Sequence, residues 1–167
     1  LTVQQKMFKD QLSLFSDKTS RAFQLSTWNP FGHEKSDWFD PKWMFGVEKF
    51  DVVIGNPPYV DSEKMTILDK DYREILKNEY SFASGNWDLF LVFIQRGIQL
   101  LSRDGSFSYI IPNKLIGAKY AVQARLSLAE LKLIEIADYS RINVFKTADV
   151  YPITIVLSNT PLTQKDF

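Results

Sequence analysis

The chain has 167 residues, 45% of them hydrophobic and 14% aromatic, which suits one domain with a sizeable core. Twenty basic residues balance twenty acidic ones, so the basic surplus of a self-sufficient nucleic-acid binder is missing and any grip on DNA has to come from elsewhere. With no cysteine and a single histidine, His33, disulfides and thiolate metal sites are excluded, and a histidine-built metal centre or hydrolytic triad loses its support.

No run approaches the ~20 apolar residues that span a bilayer, and no charged-then-apolar leader precedes a small-residue cleavage site. The expectation is a soluble, cytoplasmic protein with no membrane partner and no metal. The chain opens at Leu1 and runs straight into charged, helix-like sequence, which reads as an excised piece of a larger protein.

Val3, Met7, Phe8, Leu12 and Phe15 predict a short amphipathic helix, followed by an aromatic-rich lead-in of Trp28, Trp38, Trp43 and four phenylalanines among Pro30, Gly32 and Pro41. Residues 1–45 thus form a first segment, 46–160 the main one and 161–167 a tail. Phe50-Asp51-Val52-Val53-Ile54 predicts a buried strand, stopped sharply by Gly55-Asn56-Pro57-Pro58-Tyr59. Asp61 to Glu79 is charge-rich with apolar residues at helical intervals, as in an exposed helix or flap.

Asn86 to Leu101 predicts an apolar helix with Asn86 as N-cap and Asp88 in the first turn, closed by a turn at Ser102-Arg103-Asp104-Gly105. Ser106 to Ile111 is the next strand, and Ala118, Ala121, Val122, Leu126 and Ala129 form the face of a further helix. Leu131 to Tyr139 and Tyr151 to Leu157 are two strands separated by too few residues for a crossover helix, so an antiparallel pairing is expected. Strand, helix, strand, helix and two strands predict an α/β mixed sheet with an antiparallel last strand. Ligands of such sheets gather at the carboxyl ends of parallel strands, where Gly55 to Tyr59 lies.

Asn-Pro-Pro-Tyr at that position has a chemical meaning. The exocyclic amine of adenine is a poor nucleophile because its lone pair is delocalised into the ring, and acceptors that draw its N–H groups out of plane restore it. Asn56 offers a side-chain carbonyl, and Pro57 a backbone carbonyl on a residue with fixed φ and no competing N–H. Each proline also drives the residue before it toward extended geometry, so both acceptors are pre-organised. Tyr59 offers an aromatic face for a planar base, worth roughly 1–3 kcal/mol by analogy with other stacking platforms. A base inside a duplex has to be flipped out to reach such a site, at a cost of a few kcal/mol.

The run Phe50 to Val60 resembles the catalytic motif of N6-adenine DNA methyltransferases of restriction-modification systems. The resemblance continues in order through Trp87-Asp88-Leu89-Phe90, Leu100-Leu101, Asp104-Gly105, Tyr109-Ile110-Ile111-Pro112-Asn113-Lys114 and Val144-Phe145-Lys146-Thr147-Ala148, covering about residues 45 to 160. These blocks look like the fused restriction-and-modification branch, which includes phage-exclusion methylases.

The resemblance implies the C-terminal half of a Rossmann-like class I S-adenosylmethionine-dependent methyltransferase domain. It implies double-stranded DNA as substrate and Asn56, Pro57, Pro58 and Tyr59 as the catalytic loop. Asn56 and Pro57 would accept from the target amine, Pro58 would shape the loop, and Tyr59 and Phe145 would hold the two faces of the flipped base. Asn56, Asp88 and Phe93 would border the cofactor. Lys114 is read as a solvated charge and left out of the site.

The family's cofactor also needs a glycine-rich turn and an acidic residue on the ribose. The seven glycines contain no Gly-x-Gly pair, so those elements, and a target-recognition region, are expected in the remainder of a parent chain. Two other functions use related parts: methylation of a protein glutamine or an RNA amine by a similar loop, and a noncatalytic module that docks DNA or a partner subunit.

Overall fold

The computed structural model describes residues 20, 23–24, 41–142, 144 and 151–160. The chain divides into two compact units, Leu1–Gly46 and Val47–Phe167. In the first, α1 (Pro41–Phe45) opens on a proline and closes at Gly46, whose φ of 72° suits a left-handed helix stop. The predicted helix over residues 1–15, most of the aromatic lead-in, Phe145 and the tail lie outside the described residues.

The second unit is built on β1 (Phe50–Gly55), where β-branched residues favour extended backbone. The charge-rich stretch that follows is two helices, α2 (Ser62–Leu68) and α3 (Lys70–Glu79), broken at Asp69. The break is chemical: Asp69 adopts extended backbone and its carboxylate caps α3 through Tyr72 N–H, as Asp61 caps α2 through Lys64 N–H.

The apolar helix α4 (Leu89–Leu100) starts two residues later than Asn86 as cap would place it, with Asp88 at the N-cap position. Trp87 is the reason, because it is fully buried and anchors the approach to the helix instead of joining it. Then come β2 (Leu101–Pro112), α5 (Lys114–Gly117), a 3₁₀ turn (Lys119–Ala121), α6 (Val122–Leu128), β3 (Lys132–Asp138) and β4 (Pro152–Ser158).

The predicted turn at Ser102–Gly105 is an excursion inside β2, with Asp104 at a φ of 62°. Its start is tied down by Ser102 Oγ donating to Asp51 Oδ1 at 2.9 Å and Asn159 Nδ2 donating to Ser102 O at 2.8 Å, and its end by Asn159 N–H donating to Gly105 O at 2.8 Å.

The sheet order is β1-β2-β4-β3, with β1 parallel to β2 and β4 antiparallel to both of its neighbours. The expected antiparallel last strand is therefore present, but it inserts between β2 and β3. Phe107, Tyr109 and Ile111 pair with Leu157, Ile155 and Ile153, and these six side chains are all buried. On the other face of β1, Val52 and Ile54 are 65% and 78% exposed.

Gly97 lets α4 approach the sheet: a Cβ there would sit 2.6 Å from Phe107 Cε2 and 2.9 Å from the Tyr109 hydroxyl. Among the described residues no helix is long and apolar enough to cross a membrane.

Candidate active site

At the carboxyl end of β1, Gly55 lies against the ring of Tyr109, where a Cβ would meet Cε1 at 2.9 Å. The chain therefore leaves the strand at a position only glycine fills comfortably. Exposure then alternates: Asn56 and Pro58 are exposed, Pro57 is buried and Tyr59 is half-buried. Tyr59 is fixed by its hydroxyl, which donates to Ile110 O at 3.1 Å, one residue past the last β1 pairing on β2. Burial holds its phenol above the ordinary tyrosine range.

The loop exit is held by backbone. Val60 O accepts from Leu89 N–H at 2.8 Å, and Asp61 forms an antiparallel bridge with Asp88. Among the described residues Asp88 and Ser158 are the buried polar side chains, yet Asp88 makes no capping bond to α4. An N-cap bond of this kind is typically worth about 1 kcal/mol. The carboxylate turns away instead, and its Oδ2 accepts from Tyr120 Oη at 2.9 Å and Lys114 Nζ at 3.4 Å.

Burial first, then the hydrogen bond and negative charge of Asp88 and the charge of Asp61, push the Tyr120 phenol well above its ordinary value of 10. The folded chain therefore keeps a proton that the unfolded chain releases near pH 10. The stability this contributes is whole below that pH and is lost as pH rises toward the folded value. The urea midpoint of the wild-type chain is expected to fall more steeply above about pH 10 than that of Tyr120→Phe. Parallel pH profiles of the two would contradict the assignment.

A cleft of about 210 Å³ opens at this end of the sheet, lined by Tyr59, Asp61, Asp88, Asn113, Lys114 and Tyr151 among others. It is smaller than the roughly 300–1,000 Å³ pockets of drug-sized ligands and suits a single planar ring system. Of the residues singled out in the sequence, Tyr59 and Asp88 meet here. Asn56, Pro57 and Pro58 belong to the same loop but do not line the cleft.

Phe93, 40% exposed on α4, reaches the site indirectly, since its carbonyl accepts from the Tyr109 hydroxyl at 3.4 Å and that ring abuts Gly55. Tyr151, Tyr120 and Lys114 are site residues that sequence reasoning missed or set aside. Tyr151 precedes β4, whose antiparallel course returns its start to the end of β2, where Tyr151 O accepts from Asn113 N–H at 2.8 Å. A larger apolar hollow of about 480 Å³ beside α6 and β3 holds no comparable chemistry: the Arg125 guanidinium at its edge donates to Leu115 O and Ala118 O, both at 2.8 Å.

Residues 2–145 match the family model described as Eco57I restriction-modification methylase. The chain belongs to the Eco57I restriction-modification methylase family. It is 33% identical over 111 residues to the type II restriction enzyme and methyltransferase RM.Eco57I of Escherichia coli, covering 66% of this chain and 11% of that protein. It is 32% identical over 112 residues to the type II methyltransferase M.BstVI of Geobacillus stearothermophilus, covering 65% of this chain and 19% of the relative. The chain thus spans only a small part of the length of these relatives.

Among solved structures, it superposes with a TM-score of 0.51 and 16% identity on a Listeria monocytogenes protein assigned to the class I S-adenosylmethionine-dependent methyltransferases. That match covers 70% of this chain and 33% of the other. A type I restriction-modification structure matches with a TM-score of 0.50 and 21% identity, covering 71% of this chain and 25% of that one. The fold is that of the class I methyltransferases.

Family and fold make S-adenosylmethionine the cofactor of the Eco57I methylases. Exposed Asn56 follows Gly55, which lies against the Tyr109 ring, and half-exposed Phe93 accepts from the Tyr109 hydroxyl through its carbonyl, so both are open to a ligand. The glycine-rich turn that would let backbone approach the cofactor is absent from the chain's glycines. Among the described residues no group of three or more His, Cys, Asp or Glu side chains is placed to hold a metal ion.

Proposed function

We propose that the protein carrying this chain is a DNA adenine-N6 methyltransferase of a restriction-modification or phage-defence system, acting on a flipped-out adenine in double-stranded DNA. The observation that supports this best is the Asn56–Tyr59 loop. It stands at the carboxyl end of a parallel strand with the Asn56 side chain exposed, Pro57 locked in place and Tyr59 lining a cleft of base size. The methyl group comes from S-adenosylmethionine, bound mainly by residues outside this chain.

The chain's own contribution is to the acceptor. The Asn56 side-chain carbonyl and the Pro57 backbone carbonyl accept from the two amine hydrogens, drawing the nitrogen toward tetrahedral geometry and freeing its lone pair. Tyr59, held by Ile110 O, presents its ring to the base, and Phe145 takes the opposite face. Asn56 and Phe93 lie on the cofactor side. Target recognition and most of the phosphate contacts fall to the rest of a longer protein, in keeping with the zero net charge of this chain.

The test is transfer of labelled methyl from S-adenosylmethionine to plasmid DNA by the full-length protein, followed by nucleoside digestion. Label is expected in N6-methyladenine. Label in methylcytosine, RNA or protein would overturn the proposal.

A further inference from the structure

Three segments from distant parts of the sequence converge beside the catalytic loop: the loop exit at Val60–Asp61, the start of α4 at Asp88–Leu89, and the stretch from Lys114 to Tyr120. The first two are joined by backbone, through the Asp61–Asp88 bridge and the bond from Leu89 N–H to Val60 O. The third is joined to them by one side chain. The Asp88 carboxylate, 7% exposed, accepts from the Tyr120 hydroxyl and the Lys114 ammonium.

Its orientation is a departure from local habit. Asp61 and Asp69 hold the same N-cap position on α2 and α3, and both use their side chains to cap. Asp88 leaves its helix uncapped and crosses to the neighbouring segment. It also forms part of the wall between two hollows, the 210 Å³ cleft that contains Tyr59 and Tyr151 and an open one of about 400 Å³ lined by Asn86, Ala118 and Tyr120. Fully buried Trp87 and Phe90 on either side leave its backbone little room to move, so the carboxylate is presented from a rigid base.

We infer that Asp88 is a positioning residue of the Asn56–Tyr59 loop. It fixes the loop exit and the cleft wall through Tyr120 and Lys114, and it does not contact the cofactor. The inference rests on the adenine-methyltransferase function proposed above. Losing the carboxylate unties the Lys114–Tyr120 segment from α4, joins the two hollows and lets the loop exit drift. Misplacement of a reacting group by about 1 Å costs on the order of 100-fold in rate.

The experiment compares wild type, Asp88→Ala, Asp88→Asn and Tyr120→Phe in the full-length protein. It measures kcat and KM for methylation of plasmid DNA, and the dissociation constant for S-adenosylmethionine by calorimetry. Asp88→Ala is expected to lower kcat about 100-fold while cofactor affinity stays within about two-fold. Asp88→Asn, whose amide oxygen still accepts from Tyr120, recovers at least about ten-fold of that loss, and Tyr120→Phe, which keeps the fold-neutral ring, falls between.

A matching loss of cofactor affinity in Asp88→Ala and Asp88→Asn would overturn the inference and make Asp88 a cofactor contact. Unchanged kcat in Asp88→Ala, which leaves no loss to rescue, or an Asp88→Asn as impaired as Asp88→Ala, would overturn it as well. Wild-type protein that methylates no DNA would remove the underlying function, and the inference with it.

Discussion

Asn56→Ala in the full-length protein is expected to remove methyl transfer to adenine, by at least about 10²–10³-fold in kcat, while leaving the fold unchanged. The magnitude follows from other sites where one preorganised polar group aimed at the reacting atoms is deleted. The effect is large because, in the proposed mechanism, the amine has only two acceptors in the loop, and the second, the Pro57 carbonyl, engages one hydrogen only. The fold survives because Asn56 is exposed, and surface truncations of that kind usually stay within ±0.5 kcal/mol.

Pro57 gives a less clean variant. It is buried, so Pro57→Ala mixes loss of a fixed φ with loss of packing. The decisive measurements are single-turnover methylation and a urea titration on the same Asn56→Ala preparation. Wild-type rates would remove Asn56 from the site. A lowered urea midpoint would reassign it to structure.

The junction at Gly55–Tyr59 was legible because two incompatible signals meet there: a β-branched run that demands extended pairing, and two prolines that forbid its continuation. The antiparallel pairing of the last strands was legible from the short connection between Tyr139 and Tyr151. The order β1-β2-β4-β3 was not, since nothing local tells β4 to insert beside β2.

Helix boundaries were blurred wherever two residues could cap. Asn86 and Asp88 are both good N-cap types, and only the burial of Trp87 decides between them. The stretch from Ala118 to Ala129 reads in sequence as one helical face, yet it is broken into a 3₁₀ turn and α6, with Arg125 donating to the Ala118 carbonyl and to that of Leu115 on α5. The partners of the cleft were the least visible part. Tyr120, Lys114 and Tyr151 each look like surface residues in sequence, and only tertiary placement gathers them around Asp88 and Tyr59.

Gly97→Ala is expected to destabilise the 167-residue chain by about 1–3 kcal/mol, even though alanine is the better helix former by about 1 kcal/mol. Propensity loses because the new methyl has nowhere to go. Its carbon would lie 2.6 Å from Phe107 Cε2, on a ring with no exposed surface to retreat into, and 2.9 Å from the Tyr109 hydroxyl. Tyr109 is confined from both sides, because its hydroxyl bonds Phe93 O on α4 and its ring touches Gly55 on β1.

Strain introduced on the helix is therefore passed through one aromatic ring to the root of the Asn56–Tyr59 loop. Two readouts separate this from a simple loss of packing. Tyr109→Phe, which deletes the hydroxyl but keeps the ring, should recover part of the cost in the double variant, with a coupling of at least about 0.5 kcal/mol. In the full-length protein, Gly97→Ala should lower kcat for DNA methylation although it touches no substrate. A more stable Gly97→Ala chain with additive behaviour in the double variant would show that α4 does not press on the sheet as closely as these distances require.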